Sequence, residues 1–523
     1  MEQETKKQAV DYFVKRGILV SSDFLEYYEG SMESIYDKLN KNTSQKDFMF
    51  LNKDVISLVD KADKSINWLD LEKSKVLSEK GKGEEVYNRF LDYISKTEKK
   101  QQNNAGVNVL FSYQEEIRKR EFQDFVRLFN SRYKAMEKIL QGRPELKNVM
   151  SIARVNGKKD RDHVSAIGLV KEKQTTKNKN IMLTLEDTSG EIKVLINKNK
   201  PELYGQAKNI ILDETLGVVG VNGDKIIFAN NILWPDVPIS KELKKHPEDI
   251  YSIFLSDLHI GSKDFLPEEF DKFLRWINCE LGNEAQREIA KKVKYIFIAG
   301  DLIDGCGIYP DQDKELLIND VYKQYEECAR LLKKIPERIQ IIVCPGNHDA
   351  MRIAEPQPIL YKDFAKPLFE LPNITFVSNP SLVNIASNKD FSGFDVLIYH
   401  GYSFDYFVAN VDEIRQNGGY DRGDLIMKFL LKRRHLAPTH TSTLYMPDPN
   451  NDPLVISKIP DFFISGHIHK SVAANYRNIT MICGSCWQSK TAFQEKVGHN
   501  PEPGRVPIVN LKTRQVKIMK FAK

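Results

Sequence analysis

Five apolar, strand-like runs in the second half of this chain each end in residues able to bind a metal ion. The runs and their ends are YSIFLS before Asp257 and His259, KYIFIAG before Asp301, IQIIVCPG before Asn347, His348 and Asp349, FDVLIY before His400, and DFFISG before His467 and His469. In layered α/β folds, polar groups just beyond the carboxyl ends of strands meet at one edge of the sheet. The pattern therefore predicts α/β layers with one polar site at their rim.

The donors at these strand ends have the chemistry of a two-metal site. Three oxygen-bearing side chains and four imidazoles are more than one ion needs. These seven donors are Asp257, His259, Asp301, Asn347, His400, His467 and His469. With one bridging carboxylate they suit two divalent ions about 3.5 to 4 Å apart. Mixed imidazole and carboxylate ligation favours Mn, with Fe and Zn as alternatives, over Mg or Ca.

The spacing within two of the motifs also has a local explanation. Asp257 and His259 are two residues apart, and so are His467 and His469. In an extended segment such residues point the same way, so each pair can face one site. Any one of these residues taken singly is more often structural. The prediction of a dinuclear site therefore depends on the ordered set of five motifs.

With 523 residues, the chain is too long for one ordinary domain. Helical spacing of Val10, Phe13 and Val14 predicts helices near the start, and the polar stretch KTEKKQQNNAG is the best linker. A charged amphipathic helix follows around Phe122 and Phe125. The predicted organisation is a helical domain at 1–70, a linker with an amphipathic helix at 71–145, a β-barrel at 146–240 and an α/β domain at 248–523.

The barrel prediction comes from a change to period-two alternation. Ile181, Leu183 and Leu185 alternate with polar residues, DTSG turns the chain, and Asn222-Gly223 signals a second tight turn. Short strands at this spacing suit a barrel of the oligonucleotide-binding (OB) kind. Four lysines, placed in a loop before Ile181, could contact phosphates or form a solvated loop. They are Lys171, Lys173, Lys177 and Lys179.

Composition narrows the class of protein further. Hydrophobic residues make up 41%, which excludes a mostly disordered chain, and six cysteines do not make a disulfide framework. The net charge of +5 gives only a weak overall field, so a nucleic-acid partner would be held by local patches. The start, MEQETKKQAVDYF, has no apolar run, and no 18 apolar residues run together. We expect a soluble, cytoplasmic protein without a membrane partner.

The five motifs resemble the calcineurin-like metallophosphoesterase superfamily over roughly residues 250 to 500. Other segments narrow the resemblance, namely the upstream barrel, WPDVP, MKFLLKRRHLAPT and CWQSKTAFQ. Together they resemble the small, exonuclease subunits of archaeal family D DNA polymerases, which are relatives of the eukaryotic B-subunits. The resemblance implies a layered αββα phosphoesterase domain preceded by an OB-fold barrel.

The resemblance also implies residue roles. The first metal would be bound by Asp257, His259, Asp301 and His469. Asp301 would bridge to the second metal, which would be completed by Asn347, His400 and His467. His348 would stabilise the transition state and protonate the leaving oxygen, oriented by Asp349. Nuclease members of the superfamily often carry a His where this chain has Asp304. The role of this position in handling substrate therefore stays open.

The function implied is a metal-dependent 3′–5′ DNA exonuclease, the proofreading subunit of a two-subunit replicative polymerase. Its partners would be the large catalytic subunit, in a heterodimer, and single-stranded 3′ ends of DNA. Two alternatives remain, a non-catalytic scaffold subunit and a phosphatase or cyclic-nucleotide phosphodiesterase of the same superfamily. The retained seven donors argue against the scaffold, and the upstream barrel argues against an enzyme for small substrates.

Two further segments have open interpretations. Lys432, Arg433 and Arg434 could grip backbone phosphate or form a solvated or subunit-contact face. The C-terminal QVKIMKF partly resembles a sliding-clamp binding box, although it lacks the second aromatic residue. The turn within VPIVNLKTRQVKIM favours a final β-hairpin instead.

Overall fold

The computed structural model divides the chain into two compact units, residues 1–102 and 103–523. The residues it describes are 3–16, 18–20, 24, 31–33, 35–37, 50–51, 106–115, 118–146, 148–448, 451–491, 494–495 and 498–522. Most of the predicted linker KTEKKQQNNAG lies outside the described residues. Among the described residues, no helix has the length and apolar character needed to cross a bilayer.

The first unit begins with a helix, α1 (Gln3–Val14), as its spacing predicts. Ala9 and Phe13 are buried on its inner face, whereas Val14 is exposed, so the buried face is narrower than the sequence suggested. Two short strands, β1 (Leu19–Val20) and β2 (Phe50–Leu51), pair in parallel. This pairing was missed by a purely helical prediction.

The second unit starts with elements that surround and form a barrel. They are β3 (Val107–Ser112), α2 (Phe122–Gln141), α3 (Ile152–Asn156), β4 (His163–Thr175), β5 (Ile181–Asp187), β6 (Gly190–Ile196), α4 (Pro201–Lys208), β7 (Thr215–Gly223) and β8 (Ile226–Leu233). The amphipathic helix predicted around Phe122 is α2. Strand β3 was not predicted.

The barrel closes in the order β4-β5-β6-β8-β7, with β7 paired back to β4. Only β6 and β8 run in parallel. Alternating residues such as Leu183, Val194 and Val218 fill the interior, as period-two patterning requires. The predicted turn is displaced, because Asn222 and Gly223 pair within the strands and the chain turns after them. The barrel is confirmed, and its assignment to the OB kind stays a prediction.

Two six-stranded sheets make up the rest of the unit. The first has the order β12-β11-β10-β9-β18-β19 and the second the order β16-β17-β15-β14-β13-β3. Their remaining strands are β9 (Tyr251–Leu255), β10 (Val293–Ala299), β11 (Gln340–Cys344), β12 (Ile374–Phe376), β13 (Ser381–Ile385), β14 (Phe394–Ile398), β15 (Phe462–Ser465), β16 (Val472–Tyr476), β17 (Ile479–Cys483), β18 (Arg505–Asn510) and β19 (Val516–Lys520).

Apolar residues from both sheets form the core between them. The rings of Phe254 and Phe297 stack with their centroids 5.4 Å apart, and Phe462 of the other sheet lies 6.0 Å from Phe254. Helices cover the outer faces. They are α5 (Pro267–Ile277), α6 (Glu284–Lys291), α7 (Val321–Leu332) and α8 (Lys362–Phe369) on the first sheet, and α9 (Phe404–Asn410), α10 (Asp412–Gln416) and α11 (Gly423–Arg433) on the second. The layered αββα arrangement is therefore confirmed.

The two ends of the αββα domain carry features that bear on earlier predictions. Strand β3 pairs with β13 at the edge of the second sheet, so the region predicted as linker supplies part of this domain. The C-terminal QVKIMKF forms β19 of the predicted hairpin with β18. Its Phe521 ring lies 5.6 Å from Phe273. The sliding-clamp contact stays a prediction, as do the domain boundaries.

Candidate metal centre

The seven predicted donors lie together where strands of both sheets end. Asp257, Asp301 and Asn347 follow β9, β10 and β11 of the first sheet, and His400 and His467 follow β14 and β15 of the second. Because these strands run in parallel within each sheet, their carboxyl ends share one edge. The sequence predicted one polar site at the carboxyl ends of the strands. In the structure, strands of two facing sheets contribute to that site.

One group of donors gathers around the His259 imidazole. Its Nε2 lies 3.1 Å from Nε2 of His469 and 3.9 Å from Oδ2 of Asp301. The His469 Nε2 is 3.5 Å from Oδ1 of Asp257. These four side chains are the predicted first set, and all are almost completely buried.

The second group gathers around the Asn347 amide oxygen. That Oδ1 lies 2.9 Å from Nε2 of His400 and 3.0 Å from Nδ1 of His467. The His400 Nε2 is 3.3 Å from the same Asp301 Oδ2 that approaches His259. Oδ2 of Asp301 therefore faces both groups, as a bridging ligand would.

The donor set fits two divalent ions. Ligand atoms bound at about 2.0 to 2.2 Å around one ion lie roughly 3 to 3.6 Å apart, and the shorter separations within each group have this size. The two imidazole nitrogens of the first group are 3.1 Å apart, and a divalent ion would bind both. We refer below to the seven donors as the metal centre.

The backbone of the metal centre is unusual for non-glycine residues. Asp257, His259, Asp301, His467 and His469 all have φ between 50° and 71°. Each such residue costs of order 1 kcal/mol and persists only where its surroundings fix it. The paired residues two apart thus converge through left-handed turns, which corrects the extended-segment explanation given by their spacing.

Close approach also explains two of the glycines beside the donors. A Cβ at Gly466 would lie 2.6 Å from Oδ2 of Asp257. A Cβ at Gly346 would collide with Oδ1 of Asp301. The carboxylates can reach the centre only because these positions lack side chains.

Each imidazole of the metal centre is held by a bond at its other ring nitrogen. Nδ1 of His400 lies 2.7 Å from the carbonyl oxygen of Ala299. The remaining partners are Asp304 Oδ1 for His259 Nδ1 at 2.9 Å, Asp405 Oδ2 for His467 Nε2 at 2.9 Å, and the Gln494 amide for His469 Nδ1 at 2.9 Å. The three oxygen partners accept from the ring N–H, which fixes the tautomer and leaves the opposite nitrogen to face a metal, whereas the Gln494 amide nitrogen donates to His469 Nδ1 and orients that ring. Sequence reasoning missed these roles of Asp304, Asp405 and Gln494.

His348 lies beside the metal centre, but its partner differs from the prediction. Its ring centroid is 4.7 Å from that of His259, and its Nδ1 is 2.9 Å from the carbonyl oxygen of Asp304. Asp349 instead accepts hydrogen bonds from the Tyr325 hydroxyl at 3.2 Å and the Gly346 amide at 2.8 Å. The prediction that Asp349 orients His348 is therefore wrong, because its carboxyl group points into the fold and braces the loop.

Burial and charge shift the pKa values at the centre in opposite directions. Burial would raise the pKa of Asp301, but His400 and His348 hold it well below its usual range. Burial disfavours the charge on His400, yet Asp301 and Asp257 raise its pKa to about 10. Burial lowers the pKa of His348. Asp301 and Asp257 therefore favour positive charge beside His400.

The four lysines predicted to contact phosphate are not all in a loop. Lys171 and Lys173 belong to β4, and Lys177 and Lys179 lie exposed in the turn after it. Lys171 pairs with Glu186 and Glu191. The Lys173 ammonium donates to backbone carbonyls of Lys208 and Ile210 at 2.6 and 2.7 Å. The barrel itself thus satisfies two of the four.

Lys432, Arg433 and Arg434 at the end of α11 are occupied inside the fold. Arg433 is 4% exposed and pairs with the buried Glu214 of the barrel. Arg434 is 3% exposed and donates to carbonyls at 2.7 and 2.8 Å. Lys432 lies 4.0 Å over the Trp234 ring. The interpretation of the two arginines as phosphate contacts or as a solvated face is wrong, because both guanidinium groups are buried. Arg433 joins the barrel to the αββα layers, and Arg434 binds a loop within those layers.

Comparison with known proteins gives the domain a family. The calcineurin-like phosphoesterase family model matches residues 252–471. A DNA polymerase II small subunit of Methanothermobacter thermautotrophicus is 41% identical over 75% of this chain and 78% of its own length. Proteins of the same name from Archaeoglobus fulgidus and Methanocaldococcus jannaschii are 40% and 39% identical, over 74% of this chain and 75% and 64% of their own lengths. A solved structure described as a novel archaeal phosphodiesterase is 12% identical over 52% of this chain and 99% of its own, with a TM-score of 0.24 that is too low for argument.

Proposed function

This chain belongs to the family of archaeal DNA polymerase II small subunits, and from that premise we propose that it is a metal-dependent 3′–5′ DNA exonuclease. It would proofread for a two-subunit polymerase, with the large catalytic subunit as its partner and single-stranded 3′ ends as its substrate. The ions would be two divalent cations, with Mn favoured by the donor set and Fe or Zn as alternatives.

The observation that carries the proposal is the complete set of seven donors in two groups, with Asp301 Oδ2 near His259 of the first and His400 of the second. The strained backbone and the bonds to each imidazole hold these donors in place. Gathering four imidazoles and two carboxylates out of water is unfavourable unless cations compensate. A scaffold subunit would gain nothing from that arrangement.

Each side chain has a role that its contacts support. Asp257, His259, Asp301 and His469 would hold one ion, and Asp301 with Asn347, His400 and His467 the other. When bound, such a pair of ions supplies a nucleophile from water and neutralises the phosphate. With both ring nitrogens protonated, His348 would donate Nδ1–H to the Asp304 carbonyl and give the Nε2 proton to the leaving 3′ oxygen.

A nuclease assay with His348→Ala tests the proposal. The purified chain with Mn²⁺ should shorten a 5′-labelled single strand one nucleotide at a time from its 3′ end. His348→Ala should keep its bound metal and lose turnover by roughly a hundredfold or more, since general acids contribute that much. His163→Ala, which changes an exposed histidine of the barrel, is the matched control and should retain full activity.

Three results would contradict the proposal or redirect it. Full activity in His348→Ala would remove the assigned acid. Faster turnover of a small aryl phosphate than of an oligonucleotide would favour the phosphatase alternative. A chain that retains no Mn, Fe or Zn after incubation with each would favour the scaffold.

A further inference from the structure

An aromatic cleft adjoins the metal centre on the side of His467. The cleft has a volume of about 690 Å³. Its lining includes Phe125 of α2, Tyr402, Tyr406 of α9, His440, Leu444 and Tyr445. The rings of Phe125, Tyr402 and Tyr406 are half-buried, and Leu444 is 60% exposed, so apolar surface is open to a ligand.

Two side chains of the cleft contact His467 of the metal centre. Tyr402 lines the cleft, and the Tyr402 ring centroid lies 5.8 Å from that of His467. Asp405 also lines it and bonds His467 Nε2 at 2.9 Å. A group attached to a phosphate at the metal centre could therefore extend directly into the cleft.

The chemistry of the cleft suits a nucleobase better than a phosphate. Its lining residues include one carboxylate, Asp405, and no lysine or arginine. A phosphate there would meet a negative charge without a cation, whereas a base can stack on aromatic rings whatever its identity. The volume also falls within the range of sites that enclose a small ligand.

The direction of the reaction decides which nucleotide enters. His348 protonates the leaving 3′ oxygen, which belongs to the strand that remains. The 3′-terminal nucleoside leaves with the phosphate, so it extends away from the leaving oxygen. His348 lies against His259 of the first group, and the cleft lies against His467 of the second.

We propose that this cleft binds the base of the 3′-terminal nucleotide by stacking on Tyr402 and Tyr406, an assignment that rests on the proposed exonuclease function. Stacking of this kind tolerates every base, as removal of any mismatched nucleotide requires. The rings also hold the terminal nucleotide in the frayed, unpaired state, in which its base is free to leave the duplex.

The test compares two 5′-labelled single strands that differ only at the 3′ end. One ends in a normal nucleotide and the other in an abasic sugar with the same phosphodiester. The wild-type chain with Mn²⁺ should remove the normal nucleotide with a kcat/KM about tenfold higher, as expected for the loss of one stacked base. Tyr402→Ala and Tyr406→Ala should each bring this ratio toward one, because the ring is gone for both strands.

The conservative variants supply the matched controls. Tyr402→Phe and Tyr406→Phe keep a ring and should keep the ratio near ten. Tyr322→Ala removes an exposed tyrosine of α7 outside both the cleft and the metal centre, and should also keep it. If either alanine variant fails to fold, the other variant and the wild-type ratio still decide.

The outcomes separate the two levels of the argument. A wild-type ratio of one, or a ratio of ten that survives both alanine variants, would overturn the cleft assignment alone and leave the exonuclease standing. Alanine variants that keep the ratio but no longer bind a large polymerase subunit would reassign the cleft to protein contact. Failure of the wild-type chain to shorten either strand would overturn the proposed function and the cleft assignment together.

Discussion

Two buried clusters of histidine and aspartate occur in the same unit, and they differ in where their positive charge comes from. In the Arg132 cluster (Arg132, His435 and Asp452), Arg132 Nε and His435 Nε2 lie 2.6 and 2.9 Å from one Asp452 oxygen. Within the described residues, no lysine or arginine is ion-paired with any donor of the metal centre.

The difference shows how a structural cluster can be told from a binding one. Burial lowers the pKa of His435 to about 4, so that this imidazole stays neutral beside the arginine. In the metal centre, the carboxylates raise the pKa of His400 to about 10. The Arg132 cluster is complete with the chain's own cation, whereas the metal centre has its carboxylates beside imidazoles, as the proposed divalent ions would require.

The strongest test of this comparison is Asp301→Asn. The carboxylate that faces both groups loses its charge, so both ions should bind more weakly and turnover on single-stranded DNA should fall by about a thousandfold or more. Bound metal per chain and nuclease turnover are the measurements. Asp311→Asn, at an exposed aspartate, is the control and should change neither. A variant with two tightly held ions and full turnover would mean that Asp301 does not bridge.

Removing Arg132, the cation of the Arg132 cluster, should lower stability and leave metal binding unchanged. Arg132→Met leaves Asp452 buried beside a neutral histidine, and we expect the free energy of unfolding to fall by about 3 to 5 kcal/mol. Adding Asp452→Leu to this variant should recover much of the loss, while Lys134→Met on the exposed face of α2 should change little. Urea unfolding monitored by fluorescence measures all three. If metal content per folded chain fell in Arg132→Met, the two clusters would not be independent.

Acid should weaken the Arg132 cluster through His435. Because the folded pKa of about 4 lies below the unfolded value of 6.5, the unfolded chain binds more protons between these pH values. The free energy of unfolding should therefore fall by about 3 kcal/mol as the pH drops from 6.5 to 4. Unfolding curves at several pH values should show this part of the loss in the wild type and not in His435→Gln. If the wild type and His435→Gln lost the same free energy of unfolding over this pH range, His435 would not be the cause.

The smallest expected effect concerns Asp304, whose Oδ1 lies 2.9 Å from Nδ1 of His259, a donor of the metal centre. Asp304→Asn should raise the Mn²⁺ concentration needed for half-maximal activity by about ten- to a hundredfold, since the orientation of His259 is weakened. Excess Mn²⁺ should restore activity, because the backbone carbonyl that holds His348 is unchanged. An unaltered Mn²⁺ requirement would make Asp304 a purely structural residue.

The sequence predicted the seven donors because they follow apolar strands, and each strand end can be recognised from its local sequence alone. It could not predict which oxygen orients which imidazole. Asp405 lies 62 residues before His467, with no pattern linking the two. Asp349 was misplaced for a related reason, since the direction of its side chain depends on loop geometry and on Tyr325 of another element.

Charged segments misled sequence reasoning in a similar way. The run after Val170 is polar enough to suggest a loop, yet β4 continues through it to Thr175 because β5 pairs with it. Arg433 looks solvated in sequence, but its partner Glu214 comes from the barrel more than 200 residues earlier. Strand β3 was missed because its partner β13 is equally remote in the sequence. In all three cases the structure depends on a partner that is distant in the sequence. The local residue pattern therefore could not predict it.

The position of β3 determines which shortened fragments of this protein keep the second sheet intact. The polypeptide leaves the second sheet at Ser112, builds α2 and the barrel, and only then returns as β9 to the first sheet. The polypeptide therefore joins the barrel to the αββα domain both before and after it. Two connections restrict rotation of the barrel against that domain more than one would. A fragment starting at the barrel would lack β3, one of the two neighbours of β13, and the exposed backbone edge of β13 could then pair with other chains.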